Sequence, residues 1–302
     1  MQDTKRIAFA LVVAVVLVAW TNTLGAGDRR HAMSMFILSC RNAFEPAINN
    51  GGEIVYTKAT ATDAYIASTR RGRLTPSSLN VRFPDINDAG EVIYTDEVPG
   101  LPSLTLLSTT RGPLFPGNLG RINDSGQISA TGFLSIPGPA QLLMYDVDET
   151  LHGLTGPIFV ASTGITDHGE VTYVKVDPTL GSDVFSTHRG QLTFTGNVVT
   201  HSADGAGNFV YTARLPGQTW PSLFSESGEL LFEGVAGWPD VNDHGDVVFN
   251  VPTFYEVDGV RYGDFAMVLL TFRPQVFHSE FHGRNTFRPA RRAGLPVCVS
   301  SR

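Results

Sequence analysis

The fold follows from one stretch, Ile86-Asn87-Asp88-Ala89-Gly90-Glu91-Val92-Ile93-Tyr94, because close copies of it recur along the chain. Asn and Asp side chains bond to backbone N–H groups further along, and glycine accepts a positive φ angle, so the first half predicts a tight turn. The β-branched and aromatic residues of the second half predict a strand. The stretch therefore predicts a turn that leads directly into a β-strand.

Six copies of this pattern are present, and we number them repeat 1 to repeat 6 in chain order. Their turn glycines are Gly52, Gly90, Gly126, Gly169, Gly207 and Gly245, at spacings of 38, 36, 43, 38 and 38 residues. The polar residues predicted to form the turns are Asn49, Asn87, Asp88, Asn123, Asp124, Asp167, Asp204, Asn242 and Asp243. A nearly constant period of this length indicates one supersecondary unit that is copied along the chain.

Each repeat also contains a hairpin and a short lead-in strand, which gives four strands per repeat. Four short strands in about 40 residues are typical of one blade of a β-propeller. A β-sandwich would not predict six similar units, and a parallel β-helix has shorter rungs without paired hairpins. We therefore predict an all-β fold, a β-propeller with six blades of four short antiparallel strands. Met35–Cys40 is a spare apolar strand that could close the ring beside Ala266–Thr271.

The predicted organisation has four parts. These are a signal peptide (1–26), an N-terminal segment with the ring-closing strand (27–43), the six-repeat propeller (44–279) and a C-terminal tail (280–302). Lys5 and Arg6 precede a run of 14 apolar residues, the layout of a secretory signal peptide rather than a span of about 20. We therefore predict a secreted, periplasmic or cell-surface protein. If the signal remains uncleaved, it would be the one contact with a membrane.

Composition narrows the range of partners. The net charge is −7, and no basic stripe runs through the repeats, so we expect no nucleic-acid partner. The two cysteines, Cys40 and Cys298, lie near the two ends of the mature chain. In an oxidising compartment they could form a disulfide that ties these ends together, and two unpaired thiols are the alternative.

The Ile-Asn-Asp-x-Gly-x-Val pattern resembles a family of bacterial extracellular propeller repeats that read I-N-D-x-G-x-V-x-F. The match covers residue 44 to about residue 279, and the fifth copy departs from it with Ala203-Asp204-Gly205. The resemblance implies a secreted, surface-associated propeller. It implies no shared catalytic residues.

The sequence contains few candidate sites. Arg71, Arg111 and Arg189 occupy one slot of the hairpin turns, so they should lie on one face and could form an anion-binding rim. The Asp-rich turns faintly resemble calcium loops, but their spacing is wrong, so we predict structural turns, no metal ligand and no cofactor, with calcium as the alternative. No catalytic motif is evident, and we name no catalytic residue.

Three functions remain open at this point. The leading one is a non-catalytic binding or structural module for an unknown extracellular ligand, such as a carbohydrate or a protein. The second is a propeller hydrolase or lyase that acts on an extracellular polysaccharide or a small substrate. The third is a calcium-stabilised adhesion domain. In a propeller, loops converge around the central channel, so we expect any ligand to bind at that channel.

Overall fold

A computed structural model gives the structure of the protein. It describes residues 34–39, 42–60, 62–78, 80–98, 104–132, 140–156, 158–235, 237–257, 260–271, 286–288 and 297–299. The predicted signal peptide and Cys40 lie outside these ranges, so the predictions made for them stay predictions. Within them, no helix is long and apolar enough to cross a membrane.

The described chain is built of strands. A first strand, β1 (Ser34–Ser39), precedes the repeats. Repeat 1 forms β2 (Ala43–Ile48), β3 (Ile54–Ala59), β4 (Ala64–Ser68) and β5 (Gly72–Arg73). Repeat 2 forms β6 (Arg82–Ile86), β7 (Val92–Glu97), β8 (Leu104–Ser108) and the first half of β9 (Gly112–Ile122). Repeat 3 uses the second half of β9 with β10 (Ile128–Gly132), β11 (Gln141–Tyr145) and β12 (Leu151–Gly153).

The later repeats follow the same order. Repeat 4 forms β13 (Val160–Ile165), β14 (Val171–Asp177), β15 (Gly181–Ser186) and β16 (Gly190–Gln191). Repeat 5 forms β17 (Val198–Ala203), β18 (Phe209–Ala213), β19 (Ser222–Ser225) and β20 (Leu230–Phe232). Repeat 6 forms β21 (Gly237–Val241), β22 (Val247–Val257) and β23 (Val260–Thr271). Two short strands, β24 (Thr286–Arg288) and β25 (Val297–Val299), lie in the predicted tail and join the sheet of repeat 6.

The turn between the first and second strands has the same chemistry in every repeat. The residue at the Asn position accepts a hydrogen bond from the backbone N–H four residues later, at 2.8 to 3.1 Å. The glycine that follows has a φ between 74° and 91°, where a Cβ would be strained. In repeat 4 a threonine, Thr166, replaces the Asn and accepts the bond through its hydroxyl.

The prediction of an all-β propeller is confirmed, but the strands do not form six separate four-stranded sheets. The described residues form five sheets: one of seven strands, one of six, and three of four. The seven-stranded sheet arises because β9 pairs with β8 through its first half and with β10 through its second. Repeats 2 and 3 have the shortest spacing, 36 residues, which leaves no room for a loop between them.

The strand β1 completes the sheet of repeat 6. It pairs antiparallel with β23, with Met35 opposite Leu270. The N-terminal strand thus lies at the outer edge of a sheet whose other strands come from the end of the repeats, which holds the two ends of the array together.

Apolar clusters lie between neighbouring repeats. Among the described residues there are six clusters, and each contains side chains from two consecutive repeats, with one between repeat 6 and repeat 1. Val248 and Met267 of repeat 6, for example, pack with Ile48 and Ile54 of repeat 1. The core is therefore distributed around the ring, and the first strand of each repeat is left to line a channel along its axis.

Candidate functional site

The first strands of the repeats surround a channel with two different ends. The turn end carries the Asn-Asp turns, and its cavity has a volume of about 60 Å³. At the opposite end, a smaller cavity of about 20 Å³ is lined from all six repeats. Arg121 lines both cavities and lies between them. We call the second one the bulge end, for the reason given below.

At the turn end, a closed ring of hydrogen bonds joins the six turns. It runs from Asn50 N to Asp88 Oδ1 (2.7 Å), Asp88 N to Asp124 Oδ1 (2.7 Å), Asp124 N to Asp167 Oδ1 (3.1 Å), Asp167 N to Gly205 O (3.0 Å), Gly205 N to Asp243 Oδ1 (2.7 Å) and Asp243 N to Asn50 Oδ1 (2.8 Å). The predicted turn aspartates therefore hold neighbouring repeats together.

Three of these aspartates also lie close together. Carboxylate oxygens of Asp124, Asp167 and Asp243 come within 4.8 Å of one another. Burial raises the pKa of Asp124, and the neighbouring carboxylates of Asp88 and Asp167 raise it further. Oxygen ligands of this kind suit Ca²⁺, but the sequence predicts structural turns with calcium only as the alternative, and both stay predictions.

The predicted arginine rim is built from pairs inside single repeats. The Nε atoms of Arg71, Arg111 and Arg189 lie 2.6, 2.7 and 2.7 Å from Oε1 of Glu53, Glu91 and Glu170, respectively. In each pair, a serine hydroxyl of the same repeat also donates to the glutamate. Each arginine thus joins the hairpin turn to the Asn-Asp turn of its own repeat, and anion binding by this rim stays a prediction.

In the middle of the channel, one arginine forms ion pairs with two buried aspartates. Arg121 Nη1 lies 3.0 Å from Asp85 Oδ1 and 3.4 Å from Asp240 Oδ1. The second oxygens of these aspartates accept the backbone N–H groups of Ile122 and Ile48. Burial raises the pKa of Asp85 to about 7 although Arg121 lowers it, and burial raises the pKa of Asp240 as well. Because every carboxylate oxygen has a partner, these aspartates brace the first strands of different repeats.

At the bulge end, every first strand departs from regular pairing. A register shift interrupts the pairing of each first strand with the second strand of its repeat. The side chains that line the cavity from these irregular segments are Glu45, Phe83, Leu119, Ser162, Thr200 and Trp238. Each is the fourth residue from the end of its first strand, so the six occupy equivalent positions.

Four of these positions have strained backbone. Glu45, Phe83, Leu119 and Trp238 have φ angles of 50° to 54°, the left-handed region that side chains other than glycine rarely adopt. Strain of this kind persists only where the surrounding structure imposes it, and it is concentrated at functional sites. The bulge end therefore combines a cavity with side chains held in unusual directions.

Glu45 is an ionisable group of this end with unused bonding capacity. Its Oε2 accepts the Phe83 N–H at 2.7 Å and the Thr57 hydroxyl at 3.0 Å. In the described part of the chain, nothing bonds to its Oε1. Burial raises the pKa of Glu45, although both hydrogen bonds lower it. Above it, the rings of Phe83 and Trp238 come from the repeats on either side, with centroids 6.4 Å apart and planes tilted by 52°.

His201 also lines this cavity, but its ring is already engaged. Nδ1 lies 2.7 Å from the Ser162 hydroxyl, and Nε2 lies 2.9 Å from the Thr172 hydroxyl. Burial lowers the pKa of His201 to about 3, and the charge of Arg121 lowers it further. A neutral imidazole with both nitrogens bonded stabilises the channel wall and is a poor general base.

The strain at the bulge end can be measured at Phe83. Glycine removes the left-handed penalty, so we expect the Phe83→Gly variant to be about 1 kcal/mol more stable than Phe83→Ala. Tyr94 has ordinary strand geometry, so the Tyr94→Gly variant should be less stable than Tyr94→Ala by about 0.5–1 kcal/mol. Urea denaturation of the four variants tests this. If the glycine and alanine variants have the same order of stability at both positions, the backbone of Phe83 is not strained.

Comparison with known proteins supports the fold alone. No protein-family model matches the sequence, and no curated protein matches it. Among solved structures, the X-ray structure of a protein assigned as a gluconolactonase is 9% identical, with a TM-score of 0.50, and the match covers 79% of this chain and 92% of that one. A protein of unknown function from Dyadobacter fermentans is 15% identical, with a TM-score of 0.49 and coverage of 79% and 98%. The β-propeller domain of the Trilobed protease from Pyrococcus furiosus is 12% identical, with a TM-score of 0.47 and coverage of 82% and 88%.

At such low identities, likeness says nothing about activity. The strand pairing of the chain itself places repeats around a central channel and closes them with β1. The chain is an all-β propeller.

Proposed function

We propose that the protein is a secreted or envelope-associated binding module whose ligand site is the bulge end of the channel. One observation carries the proposal. Six equivalent positions around one cavity hold six different side chains, while the turn positions at the other end repeat almost unchanged. A propeller whose repeats served only to close the ring would have no need for different side chains at these six equivalent positions.

The connections at the two ends support the same choice. All six turns at the turn end place five residues between the first and second strands. At the bulge end, the hairpins between the second and third strands have two to eight residues, and β22 and β23 are 11 and 12 residues long. Loops of differing length on a rigid scaffold are where binding residues usually lie.

A hydrolase or lyase is the second candidate, and Glu45 is the observation that favours it. A carboxyl with a raised pKa and a free oxygen beside a cavity can act as a general acid or base. In this reading, Glu45 exchanges a proton with a bound substrate while Phe83 N–H and Thr57 hold its other oxygen.

The two tryptophans outside the predicted signal peptide provide a matched test. Trp238 lies at the bulge end, and Trp220 lies in the hairpin of repeat 5, with 37% of its surface exposed. In a Trp220→Phe background, a metabolite and fragment library should contain compounds that change Trp238 fluorescence. Titration calorimetry then measures their affinity without a fluorescent reporter: it should fall about ten-fold or more in Trp238→Ala, since tryptophans anchor ligands, and stay unchanged in Trp220→Ala.

The result also separates the two candidates. If hits bind without chemical change, the binding module stands. If Glu45→Gln abolishes turnover of a hit but leaves its binding intact, the protein is an enzyme. If no compound perturbs Trp238, or if the hits bind Trp238→Ala as well as the parent, the bulge end is not the ligand site.

A further inference from the structure

We propose that the bulge end receives a neutral, hydroxylated ring, such as the terminal residue of a saccharide, with one hydroxyl group placed in the cavity between Glu45 and Arg121. This inference rests on the proposed ligand site and names the chemical class of its ligand. Four features of the cavity support it: its floor, its charge, its size and its walls.

The floor of the cavity presents both an acceptor and donors. Glu45 and Arg121 both line it. Oε1 of Glu45 accepts no hydrogen bond, and Nε and Nη2 of Arg121 donate none, when all described residues are considered. Arg121 is 16% exposed and lines the cavity, so a group that enters the cavity can bond to these N–H groups. The group that completes this floor must both donate and accept.

Charges of both signs surround the floor, because the guanidinium groups of Arg82 and Arg121 both act on Glu45, so a ligand of either charge meets a like charge. An ammonium group would pair with Glu45, but it would also approach the guanidinium of Arg121. A carboxylate or phosphate would meet Glu45 together with Asp85 and Asp240, which already share the positive charge of Arg121. A hydroxyl group avoids both conflicts, because it donates to Oε1 and accepts from a guanidinium N–H without bringing a charge.

The size of the cavity agrees with a single small group. A volume of about 20 Å³ is close to the space that one water molecule needs, so it admits a hydroxyl oxygen but no ring. The rest of the ligand must stay above the cavity. The hydroxyls of Ser162 and Thr200 already bond to His201 and Thr212, so they add few new bonds deeper in the site.

Two aromatic rings line the cavity. Phe83 and Trp238 lie 6.4 Å apart at 52°, and the Arg82 guanidinium lies 5.9 Å from the Phe83 ring centre. The C–H faces of a saccharide ring match an aromatic surface while its hydroxyls point to polar groups. A purely apolar ligand would cover the rings but leave Glu45 and Arg121 unsatisfied, so it would lose affinity.

The test uses matched probes and ligand-observed NMR on the protein. The probes are neutral methyl glycosides of glucose, galactose and mannose, together with their 2-amino and 6-carboxylate counterparts. We expect at least one neutral glycoside to bind, and its charged counterparts to bind about ten-fold more weakly because they oppose Arg121 or Glu45. Trp238→Ala should lose this binding, and Trp220→Ala should keep it.

Glu45→Gln gives a second readout. The amide oxygen keeps the bonds from Phe83 N–H and Thr57, so the amide NH2 faces the ligand, whose hydroxyl can accept a hydrogen bond from it. A neutral glycoside should therefore lose less affinity than an ammonium ligand, which loses its counter-ion. The inference is overturned if an amino or carboxylate probe binds more tightly than its neutral partner, or if only apolar library compounds bind. Those results would leave the proposed site intact, whereas a library with no Trp238-dependent hit would remove the site itself.

Discussion

Replacing Arg121 by Met will lower the free energy of unfolding by about 3–5 kcal/mol at pH 8, the cost of breaking a buried ion pair by removing one partner. The substitution leaves Asp85 and Asp240 buried among the first strands, where they keep their backbone hydrogen bonds but lose the positive charge of Arg121 between them. Guanidinium chloride denaturation measures the loss.

The pH dependence follows from the same carboxyl groups. Burial already raises the pKa of Asp85 to about 7 with Arg121 present, and removal of Arg121 raises it further. A raised folded-state pKa adds stability below the unfolded value near 4, and this stability is lost as the pH rises through the folded value. At pH 5 the Asp85 carboxyl of the variant can be protonated, so the deficit should be smaller than at pH 8.

Arg189 supplies the control. It pairs with Glu170 at 2.7 Å, but 38% of its side chain is exposed, so Arg189→Met should cost about 1 kcal/mol or less. A variant in which Asp85→Asn and Asp240→Asn accompany Arg121→Met should recover part of the loss. If Arg121→Met costs no more than the control, or if its deficit grows at pH 5, the central ion pair does not brace the channel as described.

We expect the removal of β1 to cause the second large loss of stability. A chain that begins at residue 42 lacks Phe36, Ile37 and Leu38, which are partly buried against the clusters of repeat 6. Fully burying such side chains contributes about 1.5–3 kcal/mol each, so the loss should be about 4 kcal/mol. The exposed edge of β23 should also promote aggregation, since an unpaired strand can pair with another chain.

A chain that begins at residue 34 is the matched control, and it should melt like the longer protein. Both proteins are compared under reducing conditions, so that Cys40 contributes only through the strand. A synthetic peptide with the sequence of residues 34–41 should raise the melting temperature of the shorter chain by binding its folded form. Equal melting temperatures for the two chains would mean that β1 is not needed for closure.

The sequence predicts those features of the fold that depend on local chemistry. The Asn-Asp-x-Gly turns are visible because a left-handed glycine and an amide acceptor are needed at fixed positions in every copy. The continuous strand β9 was not predicted, although the 36-residue spacing that causes it is present in the sequence. Its effect depends on how the chain crosses between sheets, which a period alone does not reveal.

The candidate site was missed for a different reason. Glu45, Phe83 and Trp238 share no motif, and only their constant offset from the turn could have identified them. Arg121 and its two aspartates come from three repeats, and the contact exists only after the ring closes.

The arginine rim illustrates a pattern that the sequence does contain. Arg71, Arg111 and Arg189 occur in the same repeats that have a glutamate directly after the turn glycine. The structure pairs these residues within each repeat. The joint occurrence of opposite charges in one copy could have indicated these ion pairs, whereas we predicted an anion-binding rim instead.

The continuous strand β9 makes two repeats a single mechanical unit. Backbone hydrogen bonds run without interruption from β6 to β12, so repeats 2 and 3 cannot separate without breaking a ladder. Repeats 4 and 5 form separate sheets, joined by the Asp167 N–Gly205 O hydrogen bond, the Ser182–Asn197 bridge and side-chain packing rather than by a shared strand. If the channel widens to admit a ligand, we expect the opening on the side of the ring away from Phe115 and Ile122, because the shared strand β9 resists separation of repeats 2 and 3.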